Sequence, residues 1–247
     1  MTVNRGKAAM RLHLRGLLYD AMQPYVWDDA LLDEALDGAI ARHSALFACL
    51  QTFRVGVSPA QKEFQVYAVV DANAEIPPEG SNVGTPQYGA AYADLLGIES
   101  VELPPGNPLA EDSWPTMLRH AGYAQAYRVR MLPGHARLTL RNGASGDEVG
   151  ALNLQVNIRQ SWNRPSENGY VGWNGPVQDE PLLYLLARRA AYGTLAELNE
   201  RNAYVAEPGE HAATLNIIAV LAGLDAEIAS EIAVRRGRGV ASRTLVP

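Results

Sequence analysis

The chain has 247 residues, 47% of them hydrophobic and 19% charged, and its formal net charge is -6. That length and apolar content can bury the core of one large or two modest domains, while the acidic balance argues against a protein whose main surface wraps nucleic acid, since such surfaces gain affinity by neutralising phosphates with Lys and Arg. A single cysteine, Cys49, excludes an internal disulfide and a cysteine metal cluster, and the longest apolar run, Ile217 to Leu224, ends at Asp225, far short of the roughly 20 residues that cross a bilayer.

The opening MTVNRGKAAMRLHLRG is basic but has neither the apolar core nor the cleavage site of a secretory signal, so a protein made in the cytoplasm without membrane attachment is expected. Lys7 to Ala21 reads as an amphipathic helix with Met10, Leu14, Leu17 and Leu18 on one side, stopping before Pro24. A second helix starts after Trp27, capped by Asp28 or Asp29, and its Leu32, Leu36 and Ile40 recur at four-residue spacing to about residue 50. Cys49 at its end has the character of a small buried apolar residue.

From about Phe53 to Gln178 proline and glycine become frequent, and stretches rich in β-branched and aromatic residues lie between them. Strands are predicted at Phe64 to Val70, Ile98 to Leu103, Ala126 to Leu132, Ala136 to Arg141 and Ala151 to Gln160. Leu152, Leu154, Val156 and Ile158 alternate with polar neighbours, as a sheet with one buried face requires. An antiparallel sandwich or small barrel fits this stretch.

Helix returns at Asp179-Glu180-Pro181, an acidic and proline-bearing first turn, and runs to about Ala203 with Leu182, Leu186, Ala190, Gly193 and Ala196 on one face. After the Pro208-Gly209 turn a last helix, from about His211 to Arg235, carries Leu221, Leu224, Ile228 and Ile232. Helices, then strands, then helices define an α+β fold: a helical bundle from residues 1–55 and 179–236, with a β-rich insertion over 56–178. Residues 237–247 form a tail, because Gly237 and Gly239 should break the helix after Arg236.

No catalytic constellation emerges. The five histidines lack metal-binding spacing, and GASGD at Gly143 to Asp147 fails the nucleophile-elbow pattern and reads as a turn. Asp28, Asp29, Asp33, Glu34 and Asp37 read as a solvated helix face whose carboxylates diverge and favour the helix N-terminus. No metal and no cofactor is expected.

Two stretches stand out. SWNRPSENGYVGWNGP, Ser161 to Pro176, sets Trp162, Tyr170 and Trp173 among Asn, Gly and Pro. Exposed, these aromatics could anchor a partner; folded back, they could cover the open end of the sheet; beside Asn amides, they could form a glycan platform. The other stretch is the end, VRRGRGVASRTLVP, with four arginines and no acid, which leaves -10 on residues 1–233. Arg235 can pair with Glu231 one turn earlier. Leu245 and Val246 give the tail apolar side chains that an RNA-type Arg/Gly segment does not need, so docking onto a protein is favoured over a grip on nucleic acid or a frayed end without role.

Leu17-Leu18-Tyr19-Asp20, followed by Trp27-Asp28-Asp29-Ala30-Leu31-Leu32-Asp33-Glu34-Ala35-Leu36, resembles the start of the head-to-tail adaptor (connector) proteins of tailed bacteriophages. Val101-Glu102-Leu103-Pro104, the strand Leu154-Gln155-Val156-Asn157-Ile158-Arg159 and the helix start Asp179-Glu180-Pro181 follow in the order of that family, while the large β region and the Trp-Asn loop depart from its compact members. The resemblance implies a non-enzymatic structural protein of the virion neck, a homo-oligomeric ring, usually a dodecamer, seated between the portal protein and the tail. DNA would pass through its channel without sequence-specific binding. It also implies that Arg235, Arg236, Arg238 and Arg243 meet acidic groups of the portal and that Leu245 and Val246 fill apolar pockets there.

Overall fold

A computed structural model of the chain describes residues 6–20, 22, 27–59, 61–68, 93–111, 126–141, 149–166, 172–203 and 211–243. They form two compact units, one from residues 1–46 with 165–247 and one from 47–164. The class is α+β, as the order of elements predicts, and the β unit is built of two open sheets.

The helical unit contains α1 (Lys7–Leu17), α2 (Asp29–Leu46), a single 3-10 turn (Val177–Asp179), α3 (Glu180–Ala203) and α4 (His211–Arg243). Met10 and Leu14 of α1 are buried, and so are Leu32, Ala35, Leu36, Ala39 and Ile40 of α2, the three- and four-residue recurrence of a core-facing stripe. Asp28 caps α2: its Oδ1 accepts the Ala30 N–H at 3.2 Å. α1 closes in a Schellman arrangement, Asp20 N–H donating to Arg15 O at 2.9 Å and Tyr19 N–H to Gly16 O at 3.2 Å, with Tyr19 held at φ 58°.

The acidic run of α2 is only in part the solvated face its sequence suggests, because one row of its carboxylates is paired with α1. Lys7, Arg11 and Arg15 recur every four residues on α1, and Asp29, Asp33 and Asp37 do so on α2. The two rows meet antiparallel. Lys7 lies 3.5 Å from Asp37, Arg11 donates to both oxygens of Asp33 at 2.6 and 2.8 Å, and Arg15 reaches Asp29 at 2.5 Å. Asp28 and Glu34 take no part in these rows, and Asp29, though paired, keeps 57% of its side chain exposed.

The β unit pairs a three-stranded sheet, order β1-β7-β3, with a four-stranded sheet, order β2-β6-β5-β4. The strands are β1 (Cys49–Val57), β2 (Glu63–Tyr67), β3 (Leu95–Glu102), β4 (Ala110–Glu111), β5 (Ala126–Leu132), β6 (His135–Leu140) and β7 (Gly150–Gln160). Phe53, Val101, Leu154, Val156 and Ile158 of the first sheet share a core with Phe64, Val66, Tyr127, Leu138 and Leu140 of the second. That is sandwich packing.

The boundaries differ from the sequence reading at both ends of the insertion. α2 stops at Leu46 and β1 begins at Cys49, so the β unit starts at residue 47 and not 56. Leu50, which extends the apolar pattern of the helix, points outward from β1, while Phe53 and Val57 enter the core. The chain returns to the helical unit at residue 165 and not 179.

Candidate functional site

α4 is the element on which the expected partner contacts fall. Ile217, Leu224 and Ile228 are buried, with Leu221 and Ile232 half-buried on the same stripe, and Asp225 meets Arg189 of α3 at 3.1 Å. The helix does not end at Arg236. It continues through Gly237 and Gly239 to Arg243, because two glycines cost on the order of 1 kcal/mol each while no proline interrupts a run otherwise rich in good helix formers. The tail expected over 237–247 is therefore helical backbone to residue 243, and Leu245 and Val246 lie outside the described residues.

The expected arginine set separates. Arg235 is an internal residue: its guanidinium pairs with Asp179 in the 3-10 turn before α3, donates to Gln178 O at 2.8 Å and to Glu231 Oε2 at 3.2 Å, and its side chain is 12% exposed. The Glu231 contact is the one its spacing predicts. The Asp179 contact corrects its assignment as a partner-facing cation, since those donors are already committed within the unit. Arg236, one residue on, is exposed. Arg238 and Arg243 lie on the helical continuation.

Asp179 is a junction. Its second oxygen lies 3.5 Å from Nε2 of His43, a fully buried residue of α2, and the His43 ring meets Trp173 edge-on at 6.3 Å and 81°. α2, the 3-10 turn and α4 are thereby joined through one carboxylate.

Among the described residues the aromatics of the Trp-Asn loop do not form a platform. Trp173 is 1% exposed and packs within the helical unit, and Gly175 lies so close that a Cβ there would sit 2.1 Å from its ring. Trp162 belongs to the β unit, half-buried, with Nε1 donating to Phe47 O at 2.8 Å just before β1. Both tryptophans fold back, each into a different unit, and Tyr170 lies outside the described residues. The partner-anchor and glycan readings lose the two tryptophans as exposed rings.

The outer side of α4 carries exposed Ala219, Ala222, Ala226, Ala229 and Ala233, spaced alternately three and four residues apart, beside exposed Ile218, Val220 and Val234. That spacing is the seam of a coiled coil, with side chains small enough for another helix to approach closely. In the sequence the larger Leu221, Leu224, Ile228 and Ile232 dominate the apolar period of this helix and mask the seam.

Among the described residues no group of His, Cys, Asp and Glu is placed to hold a metal ion, and no helix is long and apolar enough to cross a membrane. Comparison with models of known protein families finds no match, and comparison with curated proteins finds none.

Proposed function

We propose that the chain is a subunit of a ring adaptor that joins the portal to the tail in the virion neck of a bacteriophage and continues the DNA channel. The observation that carries this reading beyond the sequence resemblance is the outer face of α4, where an alanine seam lies exposed on the side opposite the buried Ile217, Leu224 and Ile228. A ring needs heterologous contacts, one face of a subunit against a different face of its neighbour, and a seam of small side chains on a long helix supplies one half of such a contact. Arg236, Arg238 and Arg243, with Leu245 and Val246, are the residues offered to the portal; Arg235 holds the helix that presents them.

Electron microscopy of the protein mixed with the portal ring of the same genome, beside a version lacking residues 237–247, tests this. A second ring stacked on the portal only with the intact chain is the expected result. Absence of any complex with the intact chain would sink the adaptor reading, and equal stacking by both versions would move portal attachment off the C-terminal residues.

A further inference from the structure

The outward face of the four-stranded sheet is basic although the protein is acidic. Along β5, Arg128 and Arg130 alternate with inward Tyr127 and Val129; along β6, His135, Arg137 and Thr139 alternate with inward Ala136 and Leu138. Register places Arg130 directly opposite Arg137, and both are exposed. Two like charges in that position, with Cβ atoms about 5 Å apart, oppose strand pairing. Neither side chain makes an ion pair or hydrogen bond with another described residue. Arg11, Arg15, Arg54, Arg164, Arg189 and Arg235, by contrast, are all held by carboxylates or amides of the chain.

On the same face, next to Arg137, Tyr67 of β2 lies opposite His135 with the two rings stacked at 5.4 Å and 29°. Glu63, at the far end of β2, is the single acid among the paired positions of that face.

We infer that this face is a binding site for the phosphodiester backbone of a nucleic-acid strand, held without sequence preference. Guanidinium forks match phosphate oxygens, and Arg130 and Arg137, opposite each other on adjacent strands, present two such forks to one stretch of backbone. An anion between Arg130 and Arg137 turns a repulsive pair into two charge-assisted contacts. The Tyr67–His135 stack favours a nucleic acid over an acidic peptide, because it offers a ring face to a base, and arginines interleaved with aromatics are the surface on which single strands lie. The inference stands on the sheet alone and goes beyond the adaptor reading, which has DNA pass without sequence-specific binding and assigns it no site on this sheet.

Fluorescence anisotropy of the full chain with a labelled oligothymidylate, between about 50 and 200 mM salt, tests it. The wild type is expected to bind with affinity that falls as salt rises. Arg130→Gln with Arg137→Gln should bind on the order of tenfold more weakly at the low-salt end and lower the salt slope by about 1.4, that is about 0.7 for each lost contact. The same double variant should be at least as stable to urea as the wild type, since a repulsive pair is gone, and Arg130→Lys with Arg137→Lys should keep the slope. Arg236→Gln with Arg238→Gln should leave the slope unchanged. No salt-dependent binding, or a slope lost with the α4 arginines and kept without the sheet pair, overturns the inference. Displacement by polyglutamate as effective as by unlabelled oligothymidylate overturns it too, in favour of a carboxylate partner.

Discussion

Arg235 and Asp179 form the ion pair that ties the last helix to the 3-10 turn before α3, and the Asp179 carboxylate faces His43 with its other oxygen. Both charged side chains are mostly withdrawn from water, at 12% and 14% exposure, so removing one leaves the other without its counter-charge in a poorly solvated place. Arg235→Gln is expected to lower the stability of the helical unit by about 3 kcal/mol in urea unfolding. Arg236→Gln, one residue further and exposed, should change it by less than about 0.5 kcal/mol. Equal effects of the two substitutions would show that the pair contributes nothing to folding. The contrast also matters for partner binding: loss of portal attachment in an Arg235 variant reports a displaced helix, whereas loss in an Arg236 variant reports a lost contact.

Gly175 fixes the fate of Trp173. A methyl group at 175 would lie 2.1 Å from Cζ2 and 2.4 Å from Cε2 of the indole, distances that require either the ring or the backbone to move. The ring cannot move cheaply, because it is fully packed and meets His43 edge-on. Gly175→Ala should therefore destabilise the helical unit by about 3 kcal/mol, and adding Trp173→Leu to it should cost much less than the two single effects combined. Simple additivity of the two would rule out the contact as the cause.

The fold class was legible because its signals are local. The alternation through Leu154, Val156 and Ile158 and the four-residue recurrence of Leu32, Leu36 and Ile40 name strand and helix without any knowledge of partners. β1 was hidden because Leu50 continues the apolar period of α2 by coincidence, and only tertiary packing shows that it faces outward. The site was harder to read for a related reason. Arg235 and Arg236 are adjacent and chemically identical, and what separates them is Asp179, 56 positions away in sequence. The rows Lys7, Arg11, Arg15 and Asp29, Asp33, Asp37 were visible as matching four-residue repeats of opposite sign. Recognising that they meet required setting α1 against α2 and not considering the acidic helix by itself.

Tyr19 sits at φ 58°, a left-handed conformation that crowds any residue with a Cβ, and its side chain is 94% exposed, so no packing offsets that cost. It occupies the position after the helix end where glycine is the usual residue. Tyr19→Gly should raise the unfolding free energy by about 1 kcal/mol, less a small entropic loss from the more flexible unfolded chain. A decrease in stability would mean that the phenol ring makes a contact worth more than the strain.

Asp29 links the two helices electrostatically and gives their association a direction in pH. The hydrogen bond from Arg15 holds its carboxyl below the ordinary aspartate range; desolvation works against this, and the nearby charges of Arg11 and Arg15 add to the lowering. A carboxyl that is more acidic in the folded chain than in the unfolded one binds fewer protons when folded. Its stabilising contribution is complete above the unfolded value of about 4 and is lost as pH falls through the lower folded value. Asp29→Asn should thus be less stable than the wild type at pH 7, with a difference that shrinks steadily below about pH 4. Urea midpoints of the two proteins at neutral pH and through the acid range measure this. A difference that stays constant into strong acid would mean that the side chain acts through its shape at the start of α2 and not through its charge.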